Sequence, residues 1–157
     1  MRLEYFQLID RIVDLNLGDR TISSEAIVPT ESTIFEGHFP GYPLMPGVLL
    51  IEAMAQTSGW LIVAMNRFER MAFLAQVKDA KFRTFVTPGQ QMLVSARVVH
   101  EGSGYAVTEA SITIGGKAVC DASLTLRVLD FPNEEVSKRM RETSLRIGFS
   151  SEAPANG

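Results

Sequence analysis

The feature that most constrains the fold is an apolar stretch of 18 residues, Val48 to Met65, in which Glu52 is the only charged residue. The stretch follows residues 37–47, which contain three glycines and three prolines and are therefore predicted to form a loop. Pro46 suits the first turn of a helix. The pattern predicts one long helix from Val48 to about Arg67, apolar on nearly every side. Other parts of the chain must wrap such a helix.

The chain after this helix is typical of β-strands, because apolar and polar residues alternate and Val, Ile, Thr and Phe are frequent. Short turn signals separate the segments and predict antiparallel neighbours. Before the helix, residues 4–15 predict a short helix that runs into a strand. The predicted strands are Ile22–Val28, Met71–Val77, Lys81–Val86, Gln91–Glu101, Ala106–Ile114 and Lys117–Leu129.

These elements predict an α+β domain over residues 1–131, with a central helix inside a meandering antiparallel sheet. The pattern changes after this domain. Residues 134–147 are polar with apolar residues at helical spacing, and residues 150–157 are small and polar. Residues 132–157 are therefore predicted to be a C-terminal extension, a peripheral helix followed by a disordered tail.

Composition and charge exclude several functional classes. The chain has 15 basic and 18 acidic residues, a net charge of −3, which argues against a nucleic-acid-binding protein. One cysteine and two histidines exclude a Cys-rich zinc site and an internal disulfide, and we expect no metal. The N-terminus lacks the apolar centre of a signal peptide, and polar residues interrupt the apolar stretch. We therefore expect no membrane span and a cytoplasmic location.

Glu52 is the first candidate for chemistry. A lone carboxyl group on a buried helix is costly when ionised, so burial favours the protonated form that a general acid requires. Gln56 lies one helical turn later and is placed to orient the carboxyl group. The alternative is a structural acid whose hydrogen bonds are satisfied by Gln56 and the backbone.

His38 and Gly47 are the other two candidates in this segment. His38 precedes Glu52 by 14 residues, in a proline- and glycine-rich loop that restricts an imidazole, and a neutral histidine is a natural base for a carbon-bound proton. Gly47 begins the helix, and no Ser, Thr, Asp or Asn caps this end. Its free N–H group can hold an oxygen that gains negative charge.

The segment also resembles a known family. The run Gly-His-Phe-Pro-Gly-Tyr-Pro-Leu-Met-Pro-Gly-Val at 37–48, followed by Ile-Glu-Ala-Met-Ala-Gln at 51–56, is similar to the active-site signature of the FabZ-type (3R)-hydroxyacyl-[acyl carrier protein] dehydratases. The similarity extends over roughly residues 4–131. It implies the hot-dog fold, in which an antiparallel sheet wraps a long helix. It also implies a dehydratase that acts without a cofactor in fatty-acid or lipid biosynthesis, whether in ordinary fatty-acid synthesis or in a specialised pathway such as lipid A or very-long-chain acyl supply.

The resemblance also implies roles for individual residues. His38 would remove the C2 proton of the hydroxyacyl thioester, and Glu52 would protonate the departing C3 hydroxyl. Gly47 would hold the carbonyl oxygen, and Gln56 would support the acid. The related FabA-type enzymes, which also isomerise the double bond, carry aspartate at the acid position, so Glu52 favours a plain dehydratase. One departure is Gln90, where family members commonly have Asp.

Partners and further contacts follow from the same resemblance. Acyl carrier protein would deliver the substrate, and family members form dimers with shared active sites, often trimers of dimers. Basic residues near the site would dock the carrier, unless they are simply solvated charges: Lys78, Lys81 and Arg83. Side chains that would line an acyl tunnel, unless they only fill the core, are Phe39, Leu44, Met45, Met54, Trp60 and Phe82.

Two other functions remain open from the residues. A hot-dog thioesterase would use a carboxylate to activate water against the same thioester. A non-catalytic domain would bind acyl thioesters as a sensor or scaffold. The length of the acyl chain is not readable from the sequence, since the depth of a tunnel depends on packing.

Overall fold

Helix α2, Gly47–Met65, lies at the centre of the fold. The structure is a computed structural model and describes residues 1–149. The helix was predicted from Val48 to about Arg67, and both ends agree to within two residues. Apolar residues make up most of the helix, and the sheet and the N-terminal segment bury most of its side chains, which explains its position. The predicted central helix is confirmed.

A six-stranded antiparallel sheet packs against α2. Its strands are β1 (Arg11–Asn16), β2 (Thr21–Ile27), β3 (Arg70–Phe82), β4 (Gln91–Gly102), β5 (Tyr105–Ile114) and β6 (Lys117–Asp130). They lie in the order β1-β2-β4-β5-β6-β3. The last three strands in the sequence agree with the predicted bounds to within one residue. The hairpin between β5 and β6 turns at Gly115 and Gly116, whose φ angles of 57° and 79° fit a two-residue turn.

The predicted meander is wrong in part, because β3 and β4 are not neighbours. Strand β2 pairs with β4, and β3 pairs with β6 at the edge of the sheet. Residues 83–90 make the connection, and they are too many to form a tight hairpin turn. Hydrogen bonds tie this connection to other segments: Met45 N donates to Val86 O (2.8 Å) and Gly89 N donates to Val28 O (2.8 Å). Only β4, β5 and β6 form a meander.

Two local predictions are confirmed only in part. The short helix predicted before the strand of residues 4–15 is a single 3₁₀ turn, Leu3–Tyr5, and the strand is β1. The segments Met71–Val77 and Lys81–Val86 were predicted as two strands, but β3 is continuous. The charged interruption at Lys78 and Asp79 is a β-bulge, with Asp79 at a φ of 54°. The chain then leaves the sheet after Phe82.

Polar side chains on α2 are buried but satisfied. The hydroxyl groups of Ser24 and Thr57 lie 2.7 Å apart, and those of Ser58 and Thr108 lie 2.8 Å apart. These two bonds join α2 to strands β2 and β5 and fix its rotation against the sheet. By length and hydropathy alone α2 is long and apolar enough to cross a membrane, but 67% of its 18-residue window is buried inside the protein.

The C-terminal extension begins with helix α3, Glu134–Arg146, as predicted for residues 134–147. Asn133 caps the helix, since its side chain accepts a hydrogen bond from Val136 N (3.0 Å). Ile147 is buried and Phe149 packs against the core. The predicted disordered tail, residues 150–157, lies outside the described residues, and the domain boundary at residue 131 stays a prediction.

Candidate active site

Glu52 and Gln56 form a hydrogen-bonded pair on one face of α2. Gln56 Nε2 donates to Glu52 Oε1 at 3.0 Å, as the spacing of one helical turn predicts. The same amide nitrogen donates to Phe6 O at 2.7 Å, and Gln56 Oε1 accepts from Leu8 N at 3.3 Å. The N-terminal segment therefore fixes which way the Gln56 amide points. The amide in turn fixes the carboxyl group of Glu52.

The position of Glu52 differs from the predicted one in one respect. The sequence predicts a carboxyl group on a fully buried helix, whereas Glu52 and Gln56 are both half-buried. Val48, one turn before Glu52, is exposed. The physical reason is that the sheet wraps only part of α2, so its N-terminal half keeps one face outside the core. A substrate can therefore reach the carboxyl group from this face.

Gly47 lies at the first position of α2, and no side chain caps this end. The N-cap residue is Pro46, which makes no side-chain hydrogen bond, as predicted. The Pro46 carbonyl accepts from Leu49 N (3.0 Å) and Leu50 N (3.2 Å). The Gly47 N–H group has no partner within the helix, as is usual for the first turn. The ring of Phe82 covers Gly47 so closely that a Cβ atom there would lie 3.2 Å from it.

His38 is the last residue of helix α1, Thr33–His38. The last two residues of this helix were predicted as part of the loop 37–47, and the rest of the helix was not predicted. Ser32 caps the helix by accepting from Ile34 N (3.1 Å). Glu4 Oε1 holds the same end by accepting from Ser32 Oγ (2.6 Å) and Thr33 N (3.2 Å). Ser32 is the sequence signal that could have revealed the helix. Nothing local connects it with Glu4.

These hydrogen bonds act on the charge of Glu4. The bond from Ser32 is the largest of the causes that lower the pKa of the Glu4 carboxyl from its ordinary value. Glu4 thus stays ionised at neutral pH, and its negative charge lies at the N-terminal end of α1, which the helix dipole favours. This carboxylate therefore binds the first residues of the short helix that carries His38.

The structure does not bring His38 to Glu52 within one chain. His38 is exposed, and its ring packs edge-on against Phe39 with 4.6 Å between ring centroids. Among residues 1–149 no hydrogen bond reaches the imidazole. Glu52 instead lines a cavity of about 540 Å³ together with Gln56, Trp60 and side chains from β3 and α3, and His38 is not part of that lining.

The predicted tunnel residues fall into three groups. Trp60 lines the cavity beside Glu52. Leu44, Met45 and Met54 are buried, while Phe39 and Phe82 are exposed and the ring of Phe82 covers Gly47. The assignment of these five residues to an acyl tunnel stays a prediction.

The predicted carrier-docking residues lie on or just after the edge strand β3. Lys78 and Lys81 are exposed. Arg83 forms an ion pair with Asp121, so part of its charge is already neutralised. Gln90, the departure from the family pattern, accepts a hydrogen bond from Thr87 N at 2.9 Å through Oε1 and closes the turn around Pro88 and Gly89.

The part of the chain that the structure describes contains no group of three His, Cys, Asp or Glu side chains that could hold a metal ion. The single cysteine, Cys120, is buried in β6. Burial, followed by the charge of Asp121, raises the pKa of its thiol to about 11, so it carries no thiolate at neutral pH.

Most of the chain is similar to proteins of known function. Residues 2–123 match the FabA-like domain. The chain is 39% identical over 121 residues to the 3-hydroxyacyl-[acyl-carrier-protein] dehydratase FabZ of Lactiplantibacillus plantarum, which covers 76% of this chain and 82% of that protein. It is 34% identical over 131 residues to FabZ of Listeria monocytogenes, which covers 81% of this chain and 88% of that protein.

A solved structure agrees with the fold. The dehydratase heterocomplex ApeI:P from Xenorhabdus doucetiae superposes with a TM-score of 0.64 at 14% identity, over 86% of this chain and 90% of that chain. At this identity the likeness concerns the fold alone. Together with the helix wrapped by an antiparallel sheet, it confirms the predicted hot-dog fold.

Proposed function

The chain belongs to the family of FabA-like domains and is a 3-hydroxyacyl-[acyl-carrier-protein] dehydratase, and we propose that His38 and Glu52 are its base and its acid. The reaction removes water from a (3R)-3-hydroxyacyl thioester and gives the trans-2-enoyl thioester. The observation that carries this assignment is the Glu52–Gln56 pair. Its orientation is fixed by backbone groups of the N-terminal segment.

The hydrogen bonds of Glu52 suit a general acid. Gln56 Nε2 donates to Oε1, so this oxygen is the acceptor of the carboxyl group. A proton on the other oxygen, Oε2, is then free to pass to the C3 hydroxyl, which leaves as water. His38 takes the C2 proton, and the electron pair of that bond forms the new double bond.

Gly47 holds the thioester oxygen during this step. Removing the C2 proton places negative charge on the carbonyl oxygen, and an amide N–H at the start of a helix stabilises that charge. At the end of the cycle His38 is protonated and Glu52 is ionised. Exchange with water returns both to their starting states.

The site becomes complete when a second copy of the chain is present. Strand β3 is 13 residues long and lies at the edge of the sheet. Its exposed apolar residues include Phe73, Val77 and Phe82. A long apolar edge of this kind pairs readily with another strand. We therefore propose a homodimer in which His38 of one copy meets Glu52 of the other, and trimers of such dimers as the larger assembly.

The remaining assignments follow from the same function. Lys78, Lys81 and Arg83 would receive the acidic carrier protein along the edge that carries the site, and a cytoplasmic location would suit a carrier-bound substrate. No metal or organic cofactor is required, since the thioester itself acidifies the C2 proton.

The function is tested by following formation of the enoyl thioester from a hydroxyacyl carrier substrate, with wild type and with His38→Ala and Glu52→Gln. A general acid or base contributes roughly 10²–10⁴-fold, so each variant should lose about that much turnover while it keeps its fold. Full activity in either variant would contradict the assignment. Release of free thiol without enoyl product would favour a thioesterase, and tight binding without turnover a binding domain.

A further inference from the structure

The cavity beside Glu52 has a wall that the catalytic domain does not supply. On one side it is lined by α2, from Glu52 through Trp60 to Val63. On the other side Met140, Thr143, Arg146 and Ile147 contribute, all from α3 or just after it. The family match ends at residue 123. The wall therefore comes from a segment of the chain that lies beyond the family domain.

The segment that forms this wall is firmly attached. The Phe149 ring packs against Trp60 and Phe68, with 5.6 Å and 5.4 Å between ring centroids. Ile12 N donates to Ile147 O at 2.7 Å, and Arg141 Nη2 donates to Phe68 O at 3.3 Å. These contacts, made at both ends of the wall, hold α3 in one place.

The cavity has one polar end and an apolar length. Glu52 and Gln56 lie at the polar end, and the rest of the lining is mostly apolar, with Gln7, Thr143 and Arg146 adding further polar groups. From Glu52 to Val63 the helix rises about 16 Å. Arg141, next to Met140, reaches the carbonyl of Phe68, three residues after the end of α2, so this part of α3 lies beside the C-terminal half of α2. A hydrocarbon chain whose reacting carbons lie at Glu52 fits this distribution of polar and apolar groups.

We propose that α3 and the residues after it close the acyl-binding cavity, and that Met140 limits the length of the acyl chain that the enzyme accepts. This inference rests on the proposed function, which places the reacting carbons at Glu52. The C-terminal extension is then a determinant of substrate length and not only a surface helix.

The experiment changes the size of the wall and measures binding without turnover. Met140→Ala enlarges the cavity and Met140→Phe reduces it, while Thr143→Ala is a second enlarging variant. Leu145→Ala and Leu145→Phe are controls on the same helix, since Leu145 is 51% exposed and does not line the cavity. Trp60 is the only tryptophan in the chain and lines the cavity, so its fluorescence reports binding of saturated acyl-pantetheine thioesters of increasing length.

The expected result is a shift in the preferred length. Met140→Ala and Thr143→Ala should raise the affinity for long chains relative to short ones, by about fourfold for each methylene that gains a place in the cavity. Met140→Phe should lower the same ratio, and both Leu145 variants should leave it unchanged. Circular dichroism and thermal unfolding identify any variant that has lost its fold.

Three outcomes would overturn the proposal: an unchanged ratio in the Met140 and Thr143 variants, an equal shift in the Leu145 controls, or no binding of any acyl thioester by wild type. Dehydration of a 3-hydroxybutyryl thioester, measured on the same samples, separates this inference from the proposed function. If wild type bound acyl chains according to their length but did not dehydrate the substrate, the proposed function would be wrong and the role of α3 would stand. If wild type dehydrated the substrate but the variants left the length preference unchanged, the role of α3 would be wrong and the proposed function would stand.

Discussion

The two halves of the proposed site are held in opposite ways. The acid half, Glu52 and Gln56, lies on a helix of 19 residues. One hydrogen bond joins the two side chains, and two more join Gln56 to the backbone of the N-terminal segment. The base half, His38, ends a helix of six residues and is exposed, and its ring packs edge-on against the ring of Phe39.

This difference shows what one chain can build alone. The acid half is fixed by contacts within the chain, so its geometry is set once the domain folds. The base half has its helix anchored at the start, by Glu4 and Ser32, while the imidazole itself lacks a partner in residues 1–149. A second copy that pairs along β3 would supply the surroundings that His38 lacks.

The largest effect is expected when the second copy is removed. Val77→Asp places a charge on the exposed edge strand β3 and should convert the proposed dimer to a monomer. Each half then lacks its catalytic partner, and turnover should fall on the order of a hundredfold, as for loss of one acid–base group. Light scattering coupled to size exclusion measures the mass, and enoyl formation measures the turnover.

Val13→Asp is the matched control. Val13 lies on β1 at the opposite edge of the sheet and is 40% exposed, against 38% for Val77. This variant should keep its mass and its turnover. A Val77→Asp protein that is monomeric and fully active would show that one chain builds a complete site.

A smaller effect is expected in the acid half. Gln56→Ala removes the donor that orients Glu52 and leaves Phe6 O and Leu8 N without their side-chain partner. Loss of one such hydrogen bond costs about 0.5–1.5 kcal/mol, so kcat should fall by roughly two- to tenfold while KM stays unchanged. Steady-state kinetics of the purified variant give both values.

Gln91→Ala is the control for this change, because Gln91 Nε2 also donates to a carboxylate, Glu25 Oε2 at 3.1 Å, but on the surface of the sheet. It should leave kcat unchanged. If Gln56→Ala raised KM and left kcat intact, Gln56 would contribute to substrate binding and not to orienting the acid.

The smallest effect is expected in the base half, through Glu4. Glu4→Ala removes the acceptor of Ser32 Oγ and Thr33 N and should loosen α1, so that kcat falls a few-fold. Glu31→Gln, on the exposed neighbour of Ser32, should leave kcat unchanged. An equal loss in both variants would point to a general effect of charge near α1.

The same carboxylate predicts a dependence on pH. The pKa of Glu4 is lowered in the folded protein, so its contribution to stability is present above the ordinary carboxyl pKa of 4.5. It is lost as the pH falls through the folded value. Wild type should therefore lose more stability than Glu4→Ala on acidification below pH 4.5, as measured by thermal unfolding.

Much of the fold follows from local patterns in the sequence. The central helix and the strands β4, β5 and β6 were predictable because their apolar periodicity and turn residues are strong. The strand order was not, since the pairs β2–β4 and β3–β6 join segments far apart in the sequence. For the same reason β3 was predicted as two strands. Its pairing with β6 continues through the bulge at Asp79, and this long-range pairing is not visible in the local sequence.

The site divides in the same way. The contact between Glu52 and Gln56 was predictable because one helical turn separates the two residues. The other hydrogen bonds of the site join residues that are 28 to 50 positions apart, and no local pattern signals them. Phe6 and Leu8 bind Gln56, and Glu4 binds Ser32 at the start of α1. The half-buried state of Glu52 was also hidden, since it depends on which face of α2 the sheet leaves open.

The central claim, that His38 of one copy and Glu52 of another form each site, is tested most directly by mixing two inactive variants. His38→Ala and Glu52→Gln chains, carrying different tags, are expressed together and the mixed dimers are assayed for enoyl formation. In each mixed dimer one of the two sites has both groups intact, so mixed dimers isolated through both tags should show about half of the wild-type turnover. Turnover no higher than that of the two variants assayed separately would contradict the account.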